Sequence, residues 1–186
     1  MEIRRAVTIA EVAAAEPLFD NPVRPEWAER FLTSAGHHLY LAYEPDEDAP
    51  VGFVSGIETI HPDKGAEMLL YELGVAESHR RKGIGRALVG RLAELSRELG
   101  CYGMWVLVDT DNDVALATYR SAGGKDDGGC AVVGWKFEQA VARAYGGAPS
   151  PEGDGAPASS GEGLSGCGGT RGPRPTGRPP GPASGS

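Results

Sequence analysis

AESHRRKGIGRALV, residues Ala76 to Val89, gathers His79, Arg80, Arg81, Lys82 and Arg86 around Gly83 and Gly85. Before it, Met68 to Ala76 is apolar-rich and short, which predicts a strand. After it, Ile84, Leu88, Leu92, Leu95 and Leu99 recur at spacings of three and four, the signature of an amphipathic helix running to Gly100. The stretch is therefore a strand-to-helix turn. Its glycines sit where the first helical N–H groups have no intrahelical acceptor and where the helix dipole is positive. Cations there oppose the dipole, so an arrangement unfavourable by itself points to an anion as its counterpart. Glycine removes the Cβ that would hold a phosphate away from the backbone.

Working outward, the same reasoning gives the remaining elements. Glu2 to Ile9 reads as a strand, and Ala10 to Phe19 and Glu26 to Ala35 read as helices, the second opened by Pro25. His38 to Glu44 and Val51 to Ile60 form a hairpin across the polar turn PDEDAP. Tyr102 to Val108 is a strand, Asp113 to Ala122 a helix and Ala131 to Glu138 a closing strand. The order β, α, α, β, β, β, α, β, α, β predicts an α/β fold with a mixed sheet. The sheet is antiparallel in its first half and parallel where the long helix crosses over.

Composition bounds what such a domain does. The chain has 186 residues, 40% of them hydrophobic, and a formal net charge of -8. Half of residues 147–186 are Gly or Pro, with Leu164 the one large aliphatic residue, so the expected organisation is a folded domain over 1–146 and a disordered tail over 147–186. The tail is either an unselected extension or a Pro-rich ligand. No apolar run approaches the roughly 20 residues of a membrane helix, and the N-terminus lacks a signal-peptide pattern, so no membrane association and a cytoplasmic location are expected. Cys101, Cys130 and Cys167 are odd in number and widely spaced, which argues against a disulfide framework or a zinc site. With one basic cluster on an acidic chain, nucleic acid is not an expected partner.

The nucleotide loops fail on inspection. GxxxxGK[ST] is absent, and the position three after Gly85 is Leu88 instead of the glycine of GxGxxG. Asp109, Asp111 and Asp113 imitate a calcium loop, but Val114 and Arg120 stand where its glycine and glutamate belong. His37 and His38 are adjacent on a strand and point to opposite faces, so they do not clamp one metal, and no metal site is expected.

Two motifs together carry a resemblance. Arg80-x-x-Gly83-x-Gly85 resembles the R/Q-x-x-G-x-G/A pyrophosphate loop of the GNAT N-acetyltransferases, and Asn112, Ala115, Tyr119 and Gly123 match the N-x-x-A-x-x-x-Y-x-x-x-G spacing of the same family one strand later. The resemblance covers about residues 1 to 140 and is tight from Leu69 to Gly124. It implies acetyl-CoA as co-substrate, held by Arg80, Arg81, Lys82, Gly83, Ile84, Gly85 and Arg86 at its phosphates. It also implies that backbone N–H groups near Leu73 and Val75, on a strand splayed from its neighbour, hold the acetyl group and pantetheine arm. Tyr119 takes the family position of the acid that protonates the leaving thiolate; a helix tyrosine also serves as core or rim. Asn112 caps its helix, bonds the pantetheine amides, or does both.

Strand alternation places Glu72 on one face with Met68, Leu70 and Gly74. A carboxylate among apolar neighbours has a raised pKa and suits a base taking a proton from an ammonium; the alternative is an ion pair with an Arg across the sheet. Gly74 inside this strand marks a bulge or a close backbone approach.

The Tyr71-Glu72-Leu73 triplet before the loop is similar to the Tyr-acid-Leu triplet of aminoglycoside 3-N-acetyltransferases of the type I group. That likeness implies a cationic small-molecule amine as acceptor. Acidic composition agrees with it, since Asp46, Glu47, Asp48, Asp109, Asp111 and Asp113 are candidates for a negative cleft. The chain departs from the group at Gly123-Gly124, where Gly-Phe is frequent, and in the polar KDDGGC that follows. Another small amine, a protein N-terminus, and a non-catalytic acetyl-CoA-binding module are the competing readings. A homodimer stays open.

Overall fold

The computed structural model describes residues 1–126 and 133–135. Among these residues five strands form one sheet in the order β1-β2-β3-β4-β5. β1 (Glu2–Arg5), β2 (His37–Tyr43), β3 (Gly52–His61) and β4 (Gly65–Val75) pair antiparallel, and β5 (Met104–Val106) pairs parallel with β4. The expected mixed sheet is therefore present. Helix α3 (Ile84–Glu98) makes the crossover and packs on one face; α1 (Ile9–Ala14) and α2 (Pro25–Thr33) lie on the other; α4 (Asp113–Ser121) flanks α3.

Several boundaries differ from the sequence expectation for local reasons. β1 stops at Arg5 and not Ile9, because Thr8 caps α1 through a capping box in which its hydroxyl accepts from Glu11 N–H and Glu11 Oε2 accepts from Thr8 N–H. The helix expected over Ala10 to Phe19 breaks at Ala15 into a 3-10 turn, Glu16–Leu18, where Pro17 has no N–H to continue the ladder. α2 begins with Pro25 in its first turn, as expected, and ends at Thr33. β3 and β4 are joined by a second hairpin through turn 62–64, extending β4 back to Gly65; polar Glu67 and small Ala66 hid that extension. Of the closing strand expected over Ala131 to Glu138, the described residues 133–135 are irregular, and the rest, like the tail and its boundary at 146, lies outside the described residues.

The sheet separates two apolar cores. On the α3 side, Tyr40, Ala42, Val54, Met68 and Leu70 meet Ile84, Leu88, Val89, Leu92 and Leu95; the stripe read from the sequence lacked Val89, and its last member, Leu99, lies just past the end of α3 and is exposed. On the other side, Leu39, Leu41, Tyr43 and Phe53 meet Val12, Ala15 and Ala28. Burial of such side chains is worth about 1.5–3 kcal/mol each, which makes these two layers the main support of the fold.

His37 and His38 do separate, as expected. His37 stacks edge-on against Phe31 of α2, with ring centroids 5.3 Å apart, whereas His38 is buried beside the α3 layer, and neither of its ring nitrogens has a partner among the described residues. Burial, then the charges of Arg5 and His37, holds the His38 imidazole down to about 4. An unfolded histidine titrates near 6.5, so below that pH the unfolded chain binds a proton that the native chain refuses. Stability is therefore complete above about pH 6.5 and falls as the pH drops toward 4, by on the order of 3 kcal/mol. Urea midpoints measured from pH 7.5 to 4.5 should fall more steeply for the wild type than for His38→Leu; parallel slopes would refute the linkage.

Candidate active site

β4 is the element that builds the site, and its geometry depends on one irregularity. The β3–β4 register shifts between Ser55 and Gly56: Ser55 faces Glu72, but Gly56 faces Leu70, so Tyr71 is an extra residue, a β-bulge. The bulge corrects the face assignment made from simple alternation. Met68 and Leu70 lie in the α3 layer, and so do Leu73 and Val75, so Tyr71 and Glu72 both turn to the opposite face. Glu72 is thus not on the face of Met68 and Leu70. It shares the α1–α2 side of the sheet with Ser55, its partner across the ladder.

Gly74 is not the bulge. It is a close approach: a Cβ there would sit 2.4 Å from Cε1 of Phe53, whose ring covers the glycine.

Glu72 is half-buried and, among the described residues, has no ion-pair or hydrogen-bond partner, so the cross-sheet arginine alternative is not realised. Burial pushes its carboxyl up from the ordinary value, and the nearby charge of Asp20 pushes it in the same direction.

The parallel ladder ends at Leu70–Val106, immediately before the bulge, which is why β5 is shorter than the Tyr102 to Val108 expected. Beyond it, among the described residues, β4 has no strand on that side. Ala76 N–H bonds Val51 O at 2.9 Å toward β3, while Val75 O accepts from Arg80 Nε at 3.2 Å on the other side. Alternation along an antiparallel strand then turns the main-chain groups of Leu73 and Val75 toward the open gap.

The turn after β4 leaves cations and backbone donors exposed. A 3-10 turn, Glu77–His79, leads to Arg81 at φ 63 and Gly83 at φ 84, two left-handed residues in close succession. Arg81 in that region is a strained position for a side-chain-bearing residue, as found at functional loops. The first backbone bond into α3 is Ala87 N–H to Gly83 O at 3.0 Å, and Gly83 offers no side-chain cap. The N–H groups of Ile84, Gly85 and Arg86 are left as free first-turn donors.

Arg80, Arg81, Lys82 and Arg86 are all exposed and, among the described residues, have no carboxylate partner. His79 differs from them: its Nε2 lies 2.9 Å from Glu47 Oε1. The two glycines have separate roles. Gly83 adopts the left-handed angle with open space around it, and Gly85 admits α4, since its Cβ would lie 3.2 Å from Thr118 Cγ2. Ile84 is 2% exposed, so its side chain belongs to the core and only its N–H faces the seat. Free donors, unpaired cations and an open glycine fit a pyrophosphate of the acetyl-CoA kind.

α4 carries the remaining candidates. Asn112 Oδ1 accepts from Ala115 N–H at 3.1 Å, so its capping role is realised. Tyr119 packs half-buried against the α3 layer, and burial pushes its phenol up, which keeps it protonated at neutral pH. The acidic residues do not form one cleft. Glu47 and Asp48 line a depression of about 430 Å³ with Glu2, Arg4, Tyr43 and Glu44, whereas Asp109, Asp111 and Asp113 surround the start of α4. Among the described residues no cluster of metal ligands occurs, and no helix is long and apolar enough to cross a membrane. Sequence reasoning missed Ser55 and Asp20, which flank Glu72; an isolated serine in a strand and an aspartate in a loop carry no spacing signal.

The sequence profile of the Acetyltransferase (GNAT) family matches residues 6–123. N-alpha-acetyltransferase RimI of Mycobacterium tuberculosis is 33% identical over 114 residues, 61% of this chain and 68% of that protein. The [Ribosomal protein bS18]-alanine N-acetyltransferase of Escherichia coli is 25% identical over 97 residues, 52% of this chain and 63% of that one. Among solved structures, an aminoglycoside acetyltransferase from an uncultured soil metagenomic sample superposes with TM-score 0.59 at 26% identity, covering 74% of this chain and 97% of its own. With the profile spanning β2 to β5, the loop before α3, and α4, the chain belongs to the GNAT acetyltransferase family and is an acyl-CoA-dependent N-acetyltransferase.

Proposed function

We propose that the protein moves an acetyl group from acetyl-CoA to a primary amine of a cationic small molecule, with the 3-N amine of an aminoglycoside as the preferred acceptor. The observation that carries this reading is Glu72, an unpaired, half-buried carboxylate with Asp20 nearby, set where β4 loses its parallel partner. Two carboxylates without a cation of their own favour an acceptor that brings positive charge. Acetyl-CoA supplies the activated acyl group. The first-turn N–H groups of Ile84, Gly85 and Arg86, opened by Gly83 and flanked by the side chains of Arg80, Arg81, Lys82 and Arg86, bind its pyrophosphate and remaining phosphate. Asn112 stays a pantetheine contact in addition to its cap.

Each residue then has a defined task. Glu72 takes the proton from the acceptor ammonium, directly or through water, which frees the nitrogen lone pair. The N–H groups of Leu73 and Val75, on the open side of β4, donate hydrogen bonds where negative charge develops on the thioester oxygen. Tyr119, protonated at neutral pH, returns a proton to the departing thiolate. Tyr119→Phe is expected to lower kcat by about tenfold or more while the acetyl-CoA affinity changes little; equal losses in both would remove it from the acid role.

A second reading, a peptide N-terminal amine as acceptor, is favoured by the likeness to the mycobacterial N-alpha-acetyltransferase. Thiol release from acetyl-CoA, measured with 2-deoxystreptamine aminoglycosides, polyamines and a peptide beginning with alanine, separates the two. Turnover with the aminoglycosides is expected. Turnover with the peptide and none with the aminoglycosides would overturn the preferred acceptor and leave acetyl transfer standing.

A further inference from the structure

The turn between β2 and β3 reaches the loop after β4 through a side-chain contact that has no assigned role. Glu47 lies on that turn, which its N–H closes by bonding Glu44 O at 3.2 Å. Its Oε1 is 2.9 Å from His79 Nε2. The other ring nitrogen, Nδ1, is 2.9 Å from Ser78 Oγ, so both ends of the imidazole are held. With Nε2–H donating to the carboxylate, Nδ1 accepts from the Ser78 hydroxyl when the ring is neutral and donates to it when the ring is charged. The His79 side chain is only 13% exposed, whereas Glu77, Ser78 and Arg80 around it are exposed, so the ring is set into the protein and is not half of a freely moving surface pair.

The loop that follows is unfavourable by itself. Arg81 is left-handed at φ 63, and Arg80, Arg81, Lys82 and Arg86 gather at the positive end of α3 without a carboxylate partner among the described residues. Strain and mutual repulsion favour a relaxed loop while no anion is bound. A loop that relaxes in the free protein has to be ordered again on binding, which weakens affinity. Arg80 Nε donates to Val75 O, and the N–H groups of His79 and Arg80 donate to Ala76 O and Glu77 O, but these local bonds hold the loop only to itself and to the end of β4. Glu47 ties it to a separate segment, one that runs into buried Pro50 and Val51. It does so through His79, one residue before Arg80, and leaves the cations uncovered.

We propose that Glu47 is a positioning residue for the donor, which through His79 holds the loop in its phosphate-binding shape before acetyl-CoA arrives. The inference rests on the reading of the loop and the first turn of α3 as the phosphate seat. It also predicts a sign. By charge alone, a carboxylate near a polyanion site weakens binding, so its removal should tighten acetyl-CoA. As a tether, Glu47 strengthens binding, and its removal should loosen acetyl-CoA.

Calorimetric titration with acetyl-CoA and limited trypsin digestion of the free protein test this together, since Arg80, Arg81 and Lys82 are themselves cleavage sites. Glu47→Ala should weaken acetyl-CoA about three- to tenfold, a size compatible with losing one hydrogen bond to a charged group. It should speed cleavage at residues 80–82 and leave cleavage within α3 and the Tm little changed; a merely structural loss would speed cleavage throughout and lower the Tm. Glu47→Gln keeps an oxygen that accepts from His79 and should retain affinity within about twofold. His79→Ala should match Glu47→Ala, and the double variant should lose no more than either. Glu44→Gln removes a charge from the same turn without touching His79, and should bind acetyl-CoA as tightly as the wild type or tighter.

The tether is overturned if Glu47→Ala binds acetyl-CoA as tightly as the wild type or tighter, if Glu44→Gln loses as much, or if the losses of Glu47→Ala and His79→Ala add. Lys82→Ala and Arg86→Ala are read separately. Undiminished acetyl-CoA affinity in both would remove the phosphate seat and the tether with it, whereas lost affinity in these variants with none lost in Glu47→Ala would remove the tether alone.

Discussion

Glu72→Gln is expected to lower kcat/KM for the acceptor by about 10²- to 10⁴-fold, the range that a positioned general base contributes. The amide keeps the shape and the half-buried position of the side chain and removes only its capacity to take a proton. Burial and the charge of Asp20 raise the Glu72 carboxyl, so the wild-type profile of kcat/KM should rise with pH through a value above the usual carboxylate range, and that limb should vanish in the variant. Stability should move the other way. A carboxyl raised in the native state is destabilising once ionised, above its unfolded pKa, so the neutral amide should be at least as stable at pH 7. Lost activity with retained or increased Tm is the expected result. A loss of activity below about threefold would show that Glu72 takes no proton in the rate-determining sequence.

Phe53→Ala is expected to cost about 3–5 kcal/mol of folding stability, a large part of the 5–15 kcal/mol typical of a domain. The ring is 1% exposed, packs edge-on against Phe19 and lies over Gly74, so truncation opens a cavity between the sheet and the α1–α2 layer. Urea denaturation measures the loss. The same contact makes a reciprocal prediction: Gly74→Ala in the wild type overpacks by about 1–3 kcal/mol, because its Cβ would meet Phe53 Cε1 at 2.4 Å. In a Phe53→Ala background that penalty should disappear. Additive losses in the double variant would mean that the two residues do not share the space.

The anion loop and α3 were legible in advance because both are local. Glycine at a left-handed angle, free first-turn N–H groups and a stripe from Ile84 to Leu95 depend on residues within one turn of each other. The mixed sheet was also legible, since alternating elements and a long crossover helix leave few topologies. Glu72 could be picked out as a carboxylate amid apolar residues, but its face could not be assigned correctly. Alternation counts residues along one strand, whereas the bulge at Tyr71 exists only because β3 imposes its register on β4. The turn at 62–64 was missed for a related reason: the polar and small residues of Gly65 to Glu67 carry no strand pattern and become strand by pairing with β3.

The sequence by itself therefore determined the elements proposed for the donor: the glycine-opened helix start, the helix behind it and the Asn112–Tyr119 helix that follows, all encoded at short separation. Only the tertiary structure decided the surroundings of Glu72. Glu72 faces Ser55 of a neighbouring strand and feels the charge of Asp20 from a distant loop, because a register shift turns Glu72 over and Phe19 of that loop packs on Phe53. Such a site is set by pairing and packing between distant segments, and no spacing within the chain records it.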